Sequence, residues 1–240
     1  MDTDYSILRD SALAELKKYM DTMDPAQGKK LAYWVNDYVR FLRQESTFRP
    51  EKLIRYKRGA IVKAHLGYRI GSEEGGLHYA IVMDANNSIH SPVVTVIPLT
   101  SIKHGFDGSK LHYSDVNLGS EVHTLLDKTL NSEMDAAEQK LREHSADWKK
   151  AAATSGITAT QRAEIQELRE QIKYCRRMLD ESKRMKQGSI ALVGQITTIS
   201  KIRIRDPKYS RDALANIRVS PATLDLLDQK VRDLFGPRMK

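Results

Sequence analysis

Short apolar runs of β type alternate with turn signals in the first half of the chain. Two of these runs, residues 60–66 and 79–83, flank a glycine-rich turn, GSEEGG, at residues 71–76, and a third run covers residues 93–99. Apolar runs of this length, bounded by glycine and polar clusters, are typical of strands. The pattern therefore predicts a small β core, with one more strand around residues 111–113.

The β pattern returns late in the chain and ends in a helix. Residues 189–199 are apolar and β-branched, and residues 201–205 alternate charge with isoleucine. The dipeptide Ser220-Pro221 marks a helix start, since serine caps a helix and proline suits its first turn. The early and late strands must pair with one another to bury their apolar faces. We therefore predict one β domain formed by residues 49–118 and 188–240.

Two further segments have the periodicity of amphipathic helices. Residues 5–22 and 26–44 carry apolar residues at helical spacing, and Asp24-Pro25 separates them because the residue before a proline is disfavoured in a helix. This pattern predicts an N-terminal helical hairpin in residues 1–48.

Residues 119–187 carry apolar residues at heptad spacing on two otherwise charged helices, with a short break at residues 154–160. The short break predicts an antiparallel coiled-coil hairpin, inserted into the β domain. The fold class is therefore predicted to be α+β. The predicted seam consists of Leu126, Leu130, Met134, Ala137, Leu141, His144 and Trp148 on the first helix and of Ile165, Leu168, Ile172, Cys175 and Leu179 on the second.

The composition of the 240 residues predicts a soluble cytoplasmic protein. Charged residues make up 29% of the chain, and no apolar run approaches the roughly 20 residues that span a bilayer. The N-terminus begins acidic and then becomes amphipathic, which does not fit a secretory signal. The one cysteine, Cys175, excludes an internal disulfide framework and fits a reducing compartment.

The net charge of +8 is concentrated in the β-rich segments. Residues 49–113 carry nine Lys and Arg against five Asp and Glu, and residues 187–240 carry ten against five. A basic surface favours polyanions such as nucleic acid, although the same surplus is also ordinary solubility charge. The basic stretch EKLIRYKR at residues 51–58 leaves the same two interpretations open, a nucleic-acid contact or a solvated strand edge.

No common catalytic motif is present. The chain has no phosphate-binding loop, HExxH, CxxC or paired acidic metal motif, and its seven histidines have no ligand spacing. We therefore expect neither a metal site nor a cofactor.

The β segments resemble the MazF/PemK toxins of bacterial toxin–antitoxin pairs. The resemblance lies in G-A-I-V from residue 59, G-S-E-E-G-G from residue 71, A-I-V-M from residue 80 and V-I-P-L-T-S from residue 96. The later strand, residues 189–201, and the C-terminal helix also resemble that family. The N-terminal helices and the coiled coil lie outside the compact family pattern.

The resemblance implies a small, SH3-like, strongly bent β barrel that forms a homodimer. Such toxins cleave single-stranded RNA without metal, using the ribose 2′-hydroxyl as nucleophile, and leave a 2′,3′-cyclic phosphate and a 5′-hydroxyl. A cognate antitoxin normally silences them. The reaction needs a base, an acid and donors for the phosphorane.

This chain departs from the family pattern at a catalytic position. The usual Gly-Gly-x-Arg-Pro is replaced by GGLHY, with His78 at the arginine position and Tyr79 at the proline position. Later, Thr197 replaces an arginine and Ser200 an aspartate, whereas Thr100 matches the family's catalytic threonine. Either His78 takes over proton transfer, which an imidazole can do at neutral pH, or the barrel has become a binding module for RNA or protein.

The nuclease interpretation assigns roles to individual residues. His78 is the predicted acid or base, Thr100 positions the scissile phosphate, and Glu73 gates the glycine loop. Predicted RNA contacts come from Lys57, Arg58, Ser72, Tyr79, Ser101, Lys103 and Gln195.

The N-terminal hairpin has two possible roles. Residues 1–48 could cover the barrel in cis as an antitoxin segment does, or they could pack on the barrel or extend a dimer.

Overall fold

The computed structural model describes residues 4–103, 105–154 and 156–237, and these ranges contain five α-helices and seven strands. The predicted α+β class is confirmed, and the strands form an antiparallel sheet consistent with a bent barrel that carries extra helices. The chain divides into two compact units. One consists of Met1–Phe48 and Leu66–Gly76, and the other of Arg49–His65 and Leu77–Lys240.

The first unit contains helices α1 (Tyr5–Thr22) and α2 (Pro25–Glu45), close to the predicted limits. The Asp24 carboxylate caps α2 by accepting the backbone N–H of Ala26 at 3.0 Å. Within α2, Leu31 and Phe41 are buried. The glycine-rich segment of residues 66–76 clusters with these two helices.

The second unit contains the sheet. Its strands are β1 (Ile61–His65), β2 (Leu77–Val82), β3 (Val93–Ser101), β4 (Asp115–Gly119), β5 (Ser189–Leu192), β6 (Thr197–Ser200) and β7 (Ile204–Asp206). The strand order is β4-β5-β3-β2-β1-β7, with β6 paired to β3. Strand β3 is the longest and joins the two halves of the sheet, because its first residues pair with β6, its middle with β2, and Leu99–Ser101 with β5.

Two strand predictions were wrong in detail. No strand forms at residues 111–113, because Asp107 accepts the N–H of Ser109 and starts a 3-10 turn, so that β4 begins only at Asp115. The run of residues 189–199 is interrupted by a second 3-10 turn, Val193–Gln195, which separates β5 from β6.

Helices α3 (Glu121–Ala153) and α4 (Ala159–Arg184) form an antiparallel hairpin in the second unit. Thr158 caps α4 in a capping box with Gln161, which satisfies donors that the helix start leaves open. The base of the hairpin packs into the barrel core through Leu126, Leu130 and Met178.

Helix α5 (Pro221–Phe235) follows the predicted limits, with Ser220 as its N-cap. Its buried residues Leu224 and Leu227 belong to the same core as the base of the hairpin. None of the described helices combines the length and apolar character needed to cross a membrane.

Candidate functional site

His78 lies near the start of β2, half-buried, and pairs in register with Ala64 of β1. Its Nδ1 is 3.2 Å from the backbone carbonyl oxygen of Leu99 on β3. A carbonyl oxygen can only accept a hydrogen bond, so Nδ1 carries the proton and the ring's lone pair is on Nε2 in the neutral form. The imidazole is therefore held in one tautomer and one orientation.

Thr100 and Ser101 follow Leu99 at the end of β3, and both are half-buried. The β2–β3 ladder ends with the pair of Ala80 and Pro98, and Leu99–Ser101 pair with β5. Beyond that pair, the carbonyl oxygen of Leu99 lies 3.2 Å from His78 Nδ1. The imidazole therefore contacts the backbone immediately before Thr100, although the two segments are far apart in sequence.

Tyr79 is next to His78 in the chain, but successive side chains of a strand point to opposite faces. Its hydroxyl donates to Glu181 of α4 at 2.6 Å, and Lys63 Nζ donates to the same carboxylate oxygen at 2.5 Å. Burial, and then the hydrogen bond to Glu181, raise the pKa of Tyr79 well above its ordinary value. Tyr79 therefore joins the sheet to α4, and a contact with RNA remains a prediction.

The predicted cationic residues differ in their surroundings. The guanidinium of Arg58 donates to the carbonyl of Met83 and pairs with Asp228 of α5, so its charge is compensated within the fold. Lys57 and Lys103 are exposed. Lys103 follows Thr100 by three residues, whereas Lys57 precedes Gly59, whose N–H bonds to the Val82 carbonyl at the opposite end of β2 from His78. Of these cations, Lys103 is therefore the best placed to supply charge to a phosphate near His78.

Ser72 and Glu73 lie in the 66–76 segment, which belongs to the first unit. The base of this loop is closed by a hydrogen bond from Leu66 N–H to Gly76 carbonyl and another from Gly76 N–H to Gly67 carbonyl, each 2.7 Å. Gly76 has a φ of 87°, which favours glycine at that position.

The carboxylate of Glu73 is 3.9 Å from the guanidinium of Arg69 in the same loop. This ion pair fits a residue that sets the shape of the loop, and the gating role of Glu73 stays a prediction.

Gln195 lines a pocket of about 500 Å³ between the start of β4, the turn after β5 and the end of α5. The exposed ring of Tyr113 and the ring of Phe235 line the same pocket. Sequence reasoning did not single out these two aromatic residues, because they lie in segments that only the folded chain brings together. The residues lining the pocket are His112, Tyr113, Ser114, Asp115, Leu192, Gly194, Gln195, Leu234 and Phe235.

Within the described residues, no group of three or more His, Cys, Asp or Glu side chains is arranged to hold a metal ion. His104, one of the seven histidines, lies outside the described residues.

Residues 57–145 match the family model described as a PemK-like, MazF-like toxin of type II toxin–antitoxin systems. The matched segment runs from the residues before β1 into α3 and includes His78, Thr100 and the glycine loop. No curated protein matches the chain at a significant level. The resemblance inferred from the strand and loop motifs is thereby confirmed.

Proposed function

We propose that this chain is a metal-independent endoribonuclease that cleaves single-stranded RNA, because residues 57–145 match the model of the PemK-like, MazF-like toxin family. The observation that supports the proposal most is the orientation of His78. Its Nδ1 faces the Leu99 carbonyl at 3.2 Å, one residue before Thr100. A base held in one tautomer, in contact with the backbone that carries the Thr100 hydroxyl, is suited to in-line attack at a phosphate.

In the proposed reaction, His78 Nε2 accepts the proton of the ribose 2′-hydroxyl. The 2′ oxygen then forms a bond to the adjacent phosphorus, and the bond from phosphorus to the 5′ oxygen breaks. The 5′ oxygen leaves with the proton that the His78 imidazolium returns to it, so that His78 ends the step neutral. The products are a 2′,3′-cyclic phosphate and a 5′-hydroxyl, so atoms and charge balance without water or metal in the first step.

The other residues position the phosphate and stabilise its charge. Hydroxyl groups of Thr100 and Ser101 donate to non-bridging phosphate oxygens, and the exposed Lys103 offsets the charge that develops on them. Lys57 would contact a more distant phosphate of the bound RNA. Glu73 holds the glycine loop through Arg69 and gates access. We further propose a cognate antitoxin, a homodimer and a cytoplasmic location, as is usual for this family.

The second candidate function is a binding module without catalysis. It is favoured by the engagement of two predicted RNA contacts inside the fold, Arg58 with Asp228 and Tyr79 with Glu181. It is also favoured by the loss of the family's arginine at position 78.

Expression in a bacterium separates the two candidates. The nuclease predicts growth arrest, fragmented mRNA, and new ends bearing 2′,3′-cyclic phosphate and 5′-hydroxyl. A substrate with 2′-deoxyribose at the mapped cleavage site should bind the purified protein and resist cleavage. Growth arrest with intact RNA, or cleavage of the deoxy substrate, would contradict the proposed reaction.

A further inference from the structure

The α3–α4 hairpin carries more apolar residues at seam spacing than two helices can bury. Met134 and Leu141 on α3, and Ile172 and Leu179 on α4, are 38–49% exposed, although each pair is seven residues apart and shares one helix face. They were predicted to lie inside the seam. Among the described residues of the hairpin from Asn131 to Leu168, Ala137 and Leu168 alone are buried.

Isolated helices gain most of their stability from packing of an amphipathic face. The distal half of this hairpin lacks such packing, because only its base joins the core of the second unit. Three of the unburied side chains, Met134, Ile172 and Leu179, border a mostly apolar groove of about 210 Å³ together with Ala137 and Cys175. Leu141 lies seven residues beyond Met134 on the same helix, towards the tip of the hairpin.

The two walls of the groove carry opposite charges. Glu138 lines it from α3 and Arg176 lines it from α4, and both side chains are exposed. Within its own helix Glu138 also pairs with Arg142 at 2.9 Å, but this ion pair is exposed and weak, so that Glu138 can turn to the cation of a second chain. A twofold arrangement of two hairpins sets α3 of one chain beside α4 of the other, so that acid meets base twice. A uniformly acidic helix would be attracted to the Arg176 wall and repelled by the Glu138 wall, and a uniformly basic helix would experience the reverse.

We propose that this groove is an interface between two copies of the chain, which form a four-helix bundle with Glu138 of each copy next to Arg176 of the other. The exposed Met134, Leu141, Ile172 and Leu179 form the bundle's apolar centre. This proposal does not depend on ribonuclease activity, since it concerns residues remote in sequence from His78 and Thr100.

Charge reversal tests the proposal, because each single variant creates two like-charge contacts while a mixture restores two opposite-charge contacts. Glu138→Arg and Arg176→Glu, each alone, should weaken self-association of the full chain by about tenfold. An equimolar mixture of the two variants should associate as tightly as the wild type and should be made of mixed pairs.

The measurements are sedimentation velocity over a concentration series and energy transfer between differently labelled copies. Glu143→Arg is the matched control, since it makes the same charge change on an exposed position of α3 outside the groove, and it should leave association unchanged. Circular dichroism and the thermal midpoint establish that every variant folds.

Leu179→Lys gives a second, independent variant. It should halve the mass of the complex, whether or not another surface also joins copies of the chain. The proposal is overturned if the mixture associates no better than the single variants, if Leu179→Lys leaves the mass unchanged, or if the hairpin instead binds a different protein while the wild-type chain shows no self-association through it.

Discussion

At the scale of single residues, Tyr79 and His78 show how one strand serves two purposes. His78 projects to one face of β2, where Leu99 fixes its tautomer, and Tyr79 projects to the other, where it meets Glu181. Sequence reasoning placed both residues at an RNA site because they replace neighbouring residues of the family pattern. It could not foresee the partner of Tyr79, since Glu181 is 102 positions away in the chain.

The substitution Tyr79→Phe separates the structural role of this residue from a role in RNA binding. It removes the hydroxyl that donates to Glu181, so the nearly buried Glu181 carboxylate loses one hydrogen bond and keeps its ion pair with Lys63. We expect the free energy of unfolding to fall by about 1 kcal/mol, measured by urea denaturation. Affinity for a non-cleavable RNA should be unchanged, and a clear loss of affinity would instead support the sequence-based prediction of an RNA contact.

At the scale of elements, helices were predicted more closely than strands. The limits of α1 and α5 follow from local signals such as the Asp24-Pro25 break and the Ser220 cap. The strands depend on pairing between distant segments, which local pattern does not specify. The contact of His78 with the Leu99 carbonyl is of this kind, because it depends on how β2 lies along β3.

The end of β7 contains a carboxyl group whose ionisation affects stability. The pKa of Asp206 is raised from its ordinary value of 3.8 to about 6. Burial is the largest cause and the nearby Asp212 and Glu181 carboxylates act in the same direction, while the backbone N–H groups of Leu214 and Ala213 lower the pKa. Its Oδ1 accepts the N–H of Leu214 at 2.8 Å, which fixes the segment after β7.

This shift predicts a pH dependence of stability. Between pH 4 and 6 the folded protein keeps a proton on Asp206 that the unfolded chain releases, so the contribution of this residue to the free energy of unfolding falls as pH rises through that window. The loss is roughly 3 kcal/mol at most. Asp206→Asn keeps an acceptor for Leu214 and should flatten the profile, as measured by denaturation at pH 4, 5, 6 and 7. A variant whose profile has the wild-type slope would show that Asp206 does not titrate there.

At the scale of the whole molecule, two helical segments accompany an antiparallel sheet that is consistent with a MazF-like barrel. The glycine loop that sequence reasoning assigned to the barrel clusters in the structure with residues 1–48. This association could not be read from the sequence, because the loop motif is defined by its glycines and its neighbours by a separate helical pattern. The loop and the N-terminal helices therefore form one unit in the protein.

Deleting residues 1–48 tests whether the N-terminal helices inhibit the toxin in cis. The inhibitor hypothesis predicts stronger growth arrest by the shortened chain than by the full chain at equal expression level, because the loop of residues 66–76 loses the helices with which it clusters. Growth curves after induction, with protein amounts measured by immunoblotting, give the answer. Unchanged arrest, or a well-folded but inactive truncated protein, would favour a supporting role for the helices.

The central claim is that His78 transfers the proton in metal-independent RNA cleavage. Its most direct test is the cleavage rate of a single-stranded RNA in excess chelator by the wild type, by His78→Ala and by His90→Ala, an exposed histidine in the loop before β3 that serves as control. We predict that the wild type and His90→Ala cleave at equal rates, and that His78→Ala is slower by about 10²–10⁴-fold. Equal cleavage by all three proteins, or no cleavage by any of them, would contradict the claim.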